Sequence, residues 1–183
     1  MNKMKKLVKK ARRGNQQAFT ELIKIYEQDL YRTAKSILKK DSDCADAIQE
    51  TIIKVYKKLP TLREPSYFKT WMTRILINEC RSMLKLRKKV IPVEQFYTHQ
   101  HTHEHWNEVE LKEIIEELDE KLKVTVTLYY IQDFKTHEIA EILDIPQGTV
   151  KSRLSQARNE LSKALKHHER GRQDASGSDG SRT

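Results

Sequence analysis

Between Thr149 and Arg158 the chain reads TVKSRLSQAR, and its polar residues are of a narrow kind. Thr149, Lys151, Ser152, Arg153, Ser155, Gln156 and Arg158 offer hydroxyls, an amide and cations, and the one nearby acid, Glu160, is held further along. A surface helix needs only polar cover, which Lys and Glu would supply. An amide and cations that donate to base edges, beside hydroxyls and arginines that hold phosphates, are what contact with a nucleic acid requires, and a carboxylate there would be repelled. A second set, Arg74, Asn78, Arg81 and Lys85, recurs at four-, three- and four-residue steps, so it forms one polar stripe along a helix. Tyr67, Phe68 and Trp71 stand at the entrance of that helix. Aromatics beside a cationic stripe suit single-stranded bases, which stack and whose phosphates need neutralising. The plain alternative is that Phe68 and Trp71 belong to a core and the basic residues to a solvated face.

These residues need rigid elements to hold them. Thr136 to Asp144 predicts a short helix with Ile139, Ala140 and Leu143 inward, and Ile145–Pro146–Gln147–Gly148 predicts the turn after it. Val150, Leu154, Ala157 and Leu161 then repeat at three- and four-residue steps. This is helix-turn-helix spacing, in which the second helix lies in the DNA major groove; the plain alternative is a structural hairpin. Upstream, Phe19, Leu22, Ile23, Tyr26, Leu30, Ala34, Ile37 and Leu38 give a helix over Gln16–Leu38. Asp41 to Asp43 offers N-cap chemistry for the next helix, with Ile48, Ile52, Tyr56 and Leu59 inward. After a loop bracketed by Pro60 and Pro65, a third long helix runs from about Ser66 to Lys85, with Phe68, Met72, Ile75, Leu76, Cys80 and Met83 inward. The fold class is all-α: a helical domain over 1–89, a flexible linker over 90–106, a helix-turn-helix domain over 107–168 and a disordered tail over 169–183. VTVTLYY, Val124 to Tyr130, alternates like a strand, but a lone strand among helices has no sheet to join, so it is read as helix.

The charge supports two contact surfaces. The net charge of +9 points to a polyanionic partner. It is segregated: Lys69–Lys89 holds seven bases against one acid, Glu104–Glu120 eight acids against one base, and Thr149–Lys166 five bases against one acid. Cys44 and Cys80 lie in apolar helical patterns without metal-ligand spacing, which reads as buried thiols in a reducing compartment. The basic N-terminus, MNKMKKLVKKARRG, lacks the apolar core of a secretory signal, and no apolar run nears the ~20 residues of a membrane span. The expected location is the cytoplasm. HQHTHEHW, His99 to Trp106, raises a metal reading, since alternate residues of an extended chain share a face. It has no cysteine or carboxylate cage and no apolar support, so it is read as a polar tether. No catalytic set, metal site, cofactor or small-molecule substrate is expected.

Together the two halves resemble the extracytoplasmic-function (ECF) branch of bacterial sigma factors. DCADAIQETIIKVYKKL (Asp43 to Leu59) looks like that family's polymerase-binding helix, and FKTWMTRILINECRSMLKLRKK (Phe68 to Lys89) like its promoter-melting helix. HEIAEILDIPQGTVKSRLSQARNEL (His137 to Leu161) is similar to its helix-turn-helix. The resemblance implies an initiation factor that catalyses nothing itself, with core RNA polymerase, promoter DNA and an anti-sigma factor, commonly membrane-anchored, as partners. It implies polymerase contacts at Asp46, Gln49 and Glu50, and minus-10 contacts along Arg74, Asn78, Arg81 and Lys85 with Trp71. It also implies a loop over Arg63–Tyr67 that accepts an extruded base. Lys151, Ser152, Ser155 and Gln156 would read the minus-35 element, with Thr149, Arg153 and Arg158 near phosphates. Three positions depart from the family pattern: Asp133 and Asp144 stand where glycine is frequent, and Lys135 where a serine N-cap is usual, so that Thr136 is expected to cap instead. An autonomous DNA-binding regulator, or an enzyme with its metal on the linker histidines, are the competing readings.

Overall fold

The structure is a computed structural model that describes residues 3–90, 115 and 117–176. The linker histidines, the helical restart at Asn107 and residues 177–183 lie outside the described residues. Among those residues the fold is helical throughout, with no strand.

Helix α1 (Lys3–Arg12) buries Val8 and Ala11. It turns at Gly14, whose φ of +91° suits a residue without a Cβ. Gly14 N donates to Ala11 O at 2.9 Å and Asn15 N to Lys10 O at 3.2 Å, which satisfies the last carbonyls of α1. Asn15 then caps α2 (Gln16–Lys35) by accepting from Ala18 N at 2.8 Å. Helix α3 (Asp41–Lys58) starts as expected, but its N-cap is Lys40, and Asp41 and Asp43 sit in the first turn, where a negative charge meets the positive end of the helix.

The inward face of α3 differs from the sequence reading. Cys44, Ala47, Thr51 and Val55 are buried, whereas Ile48 and Ile52 are half-buried and Tyr56 is 49% exposed. Small residues let α3 approach α2 and α4 closely, and Thr51 satisfies its hydroxyl on Ala47 O at 2.7 Å. Periodicity finds residues that share a face, but the fit to neighbouring helices decides which of two adjacent faces is covered. Two 3₁₀ turns, Leu59–Thr61 and Pro65–Tyr67, lead into α4 (Phe68–Val90). Phe68, Met72, Leu76, Ile77 and Cys80 of α4 are buried, and Glu79 bonds Lys54 of α3 at 2.6 Å.

In the second unit α5 (Glu120–Val126) runs into a π-helical turn over Thr127–Ile131. The strand-like stretch is therefore helical. Val124 to Leu128 are all buried because the element is covered on nearly every side, and Thr125 disposes of its hydroxyl on Lys121 O. Helix α6 (Thr136–Leu143) and α7 (Gln147–Ser176) form the helix-turn-helix. Asp133 and Asp144 both adopt φ of 57°, the left-handed conformation that glycine takes more readily. The expected cap at Thr136 is corrected: Lys135 is the N-cap, its amide donates to Glu138 Oε2 at 2.9 Å, and Thr136 Oγ1 accepts from Gln147 Nε2 at 2.8 Å instead. Helix α7 continues to Ser176, into the stretch expected to be disordered.

The two units share one apolar core. Val124, Leu128, Phe134, Ile139, Leu143, Val150 and Leu154 belong to the same buried cluster as Leu30, Phe68, Met72 and Leu76. Helix α6 packs directly on α4.

Candidate nucleic-acid interface

On α7 the sequence pattern and the structure coincide. Val150, Leu154 and Ala157 are buried, so the opposite face must look outward, and Lys151, Ser152, Ser155 and Gln156 are all exposed there. Ser152 Oγ donates to Thr149 O at 3.0 Å, and Gln156 Nε2 to Glu160 Oε1 at 2.9 Å. Thr149 and Arg153, both half-buried, flank one edge of this face. Arg158 lies on the other edge, where Nη1 donates to Tyr130 Oη at 3.3 Å. The face presents an ammonium, two hydroxyls and an amide, with a guanidinium on each side: donors for base edges in the middle and for phosphates at the rims.

The stripe on α4 is in a different condition. Arg74, Asn78, Arg81 and Lys85 are exposed on one face as the spacing requires. Two of them touch the second unit: Arg81 Nη1 donates to Leu143 O at 3.2 Å, and Arg74 Nη2 lies 3.9 Å from Asp144 Oδ1. One turn earlier, Thr70 Oγ1 donates to Glu138 Oε1 at 3.3 Å. Lys69 Nζ donates to Gln132 O at 2.7 Å, lies 3.4 Å from Asp29 Oδ2 and sits 4.7 Å above the Phe134 ring. Oxygen atoms of the α6 region thus occupy donors along α4. Of the aromatics, Phe68 is 1% exposed and belongs to the core, Trp71 is half-buried with its ring 6.2 Å from that of Phe68, and Tyr67 is 37% exposed at the loop. Arg63, on the same loop, is exposed.

Pattern reading missed the residues that join the units. Gln132 is 3% exposed; its Nε2 donates to Asp29 O at 2.9 Å and to Thr33 Oγ1, while its Oε1 is buried without a partner. These contacts span about a hundred residues of sequence, and no local period announces them.

Asp46, Gln49 and Glu50 are exposed on α3. Gln49 lies at a cleft of ≈1710 Å³, walled on one side by Tyr31, Ile48, Ile52 and Ile53 and on the other by Val126, Tyr130 and Ile131. Ile48 and Ile52, which also pack against the core, line this cleft together with Ile53. Burial pushes the Cys80 thiol up to about 12 and raises that of Cys44, so neither is a thiolate at neutral pH. Among the described residues no group of three or more His, Cys, Asp or Glu stands together as a metal site, and no helix is long and apolar enough to cross a membrane.

Comparison with known proteins assigns this arrangement. Residues 22–90 match the sigma-70 region 2 family and residues 108–161 the sigma-70 region 4 family. The chain is 32% identical over 135 residues to RNA polymerase sigma factor SigV of Bacillus subtilis, covering 72% of this chain and 81% of that one. To the ECF RNA polymerase sigma-E factor of Escherichia coli K12 it is 31% identical over 173 residues, covering 85% and 90%. Among solved structures it is similar to the sigma factor RpoE in complex with the anti-sigma factor NepR from Bartonella quintana (TM-score 0.67, 25% identity, 81% and 96% covered). It shares its fold with CnrH, solved in complex with the cytosolic domain of CnrY (TM-score 0.66, 22% identity, 91% and 99% covered). Two sigma-70 regions in order, each carrying its polar face on the expected helix, agree with relatives that span most of the chain: this protein belongs to the ECF family of RNA polymerase sigma factors.

Proposed function

We propose that this sigma factor brings core RNA polymerase to promoters through two separate DNA contacts. Lys151, Ser152, Ser155 and Gln156 of α7 read the minus-35 duplex, with Thr149, Arg153 and Arg158 on flanking phosphates. Arg74, Asn78, Arg81 and Lys85 of α4, with Trp71, meet the melted minus-10 strand, and the Arg63–Tyr67 loop takes an extruded base. Asp46, Gln49 and Glu50 face the polymerase. The observation that carries the reading is the composition of the α7 face, solvent-exposed donors over a buried apolar row.

Arg81 gives one donor to Leu143 O, and a DNA strand on this stripe would run beside α6. An anti-sigma factor, membrane-anchored as the resemblance implies, restrains the protein in the cytoplasm; the RpoE relative is solved with an anti-sigma factor. The test is transcription from fragmented genomic DNA with purified core polymerase and this protein. Initiation at defined promoters supports the reading. DNA binding without any polymerase-dependent initiation replaces it with an autonomous regulator.

A further inference from the structure

The N-terminal helix has no role in the reading above, yet it is the most basic element of the fold. Residues 5–13 read KKLVKKARR, with basic pairs at 5 and 6, 9 and 10, and 12 and 13. Steps of four and three residues turn the pairs into two parallel rows along one helix: Lys5, Lys9 and Arg12, and beside them Lys6, Lys10 and Arg13. No acid lies between Lys3 and Gly14.

The first row faces the Leu59–Tyr67 loop. Arg12 Nη1 donates to Leu62 O at 2.9 Å and to Arg63 O at 3.3 Å, and Lys5 lines a small pocket with Pro65, Ser66 and Lys69. Glu64 accepts from Ser66 N and Ser66 Oγ, and these bonds, with Lys5 and Lys9 nearby, hold its carboxyl below the usual range. The second row, Lys6, Lys10 and Arg13, is exposed. A basic amphipathic helix can also lie on a membrane, but here Val8 and Ala11 are buried and Met4 and Leu7 pack against the same core, so no apolar face remains to insert.

We propose that α1 is a phosphate rail for the single strand that leaves the Arg63–Tyr67 loop: Arg12 positions the loop, and Lys6, Lys10 and Arg13 neutralise the phosphates that pass it. This rests on the reading of that loop as a base pocket. A strand whose base is held in the loop must continue across an adjacent surface, and α1 is a wholly cationic one.

The test uses holoenzyme with the triple variant Lys6→Gln, Lys10→Gln, Arg13→Gln. It binds promoter forks whose single-stranded arm either ends at the extruded base or extends beyond it, with 2-aminopurine at that base. Three lost phosphate contacts lower the magnitude of the salt slope by about 2 on the long arm, and leave the short arm and the minus-35 duplex unchanged. Equal weakening on all three DNAs, an unchanged long arm, or loss of core-polymerase binding instead would each overturn the rail. Wild-type 2-aminopurine fluorescence that never rises would overturn the loop reading itself, whatever α1 does. Arg12→Lys keeps the charge but loses the forked geometry; it is expected to lower the 2-aminopurine signal while the salt slope holds, and an unchanged signal removes Arg12 as the positioning residue.

Discussion

The two candidate DNA surfaces differ in their surroundings: the α7 face stands clear of the first unit, while two of the four stripe residues on α4, Arg74 and Arg81, touch the second. On α7 the donors look into solvent, and the few bonds they make stay within the second unit, to Thr149, Glu160 and Tyr130. On α4, Lys69, Thr70 and Arg81 donate to oxygens of the second unit, and Arg74 pairs loosely with Asp144. A duplex reader can be preformed, since its target exists before any protein acts. A surface for melted DNA gains nothing from standing open before melting.

The cover on α4 is not tight. The Arg74–Asp144 pair is more than half exposed on each side, and such pairs contribute at most ~1 kcal/mol. Apolar burial, Phe134 included, supplies most of the attraction.

Phe134→Ala is the strongest way to break the comparison. Losing a buried ring costs about 3–5 kcal/mol, read as a lower denaturation midpoint, and is expected to raise the affinity of the isolated protein for a minus-10 single strand. Minus-35 duplex binding that fell as far as stability did would show the two surfaces to be one unit.

Reversing Asp46 and Glu50 to lysine leaves both DNA surfaces as they are and is expected to weaken core-polymerase binding by up to several kcal/mol, as like charges do across an interface. Co-purification with core polymerase checks it; an undiminished complex removes these residues from that contact.

Gln156→Ala sharpens the α7 side. Loss of a bidentate donor and acceptor is expected to cost ~1–3 kcal/mol at the preferred site and to flatten preference at one or two neighbouring positions. Arg158→Ala, on the rim, weakens all sequences alike and lowers the magnitude of the salt slope by about 0.9. A library of minus-35 variants bound at several salt concentrations separates them, and exchanged behaviours would mean that α7 lies rotated in the groove.

The smallest effect belongs to Asp144→Gly. The left-handed backbone at φ of 57° is cheaper for glycine, so stability rises by about 1 kcal/mol or less, and Arg74 loses its weak partner. A thermal midpoint that fell would mean that the Asp144 carboxylate matters more to the closed arrangement than its 3.9 Å separation suggests.

The local features were legible in the sequence. The helices from α2 onward, the turn at Pro146 and the outward set on α7 follow from periods that act over a few residues, whereas the N-terminal helix α1 lies outside that reading. Which row of α3 faces inward did not follow, because Ile48 and Ile52 satisfy the same period as Ala47 and Thr51. Only the approach of α2 and α4 chose the smaller residues and left the isoleucines to line a cleft. Nor could the sequence show that Arg81 meets Leu143, that Gln132 reaches Asp29 and Thr33, or that Arg12 holds the Leu62–Arg63 carbonyls. Each joins residues fifty to a hundred positions apart, and only the packing of whole helices brings their polar atoms within bonding distance.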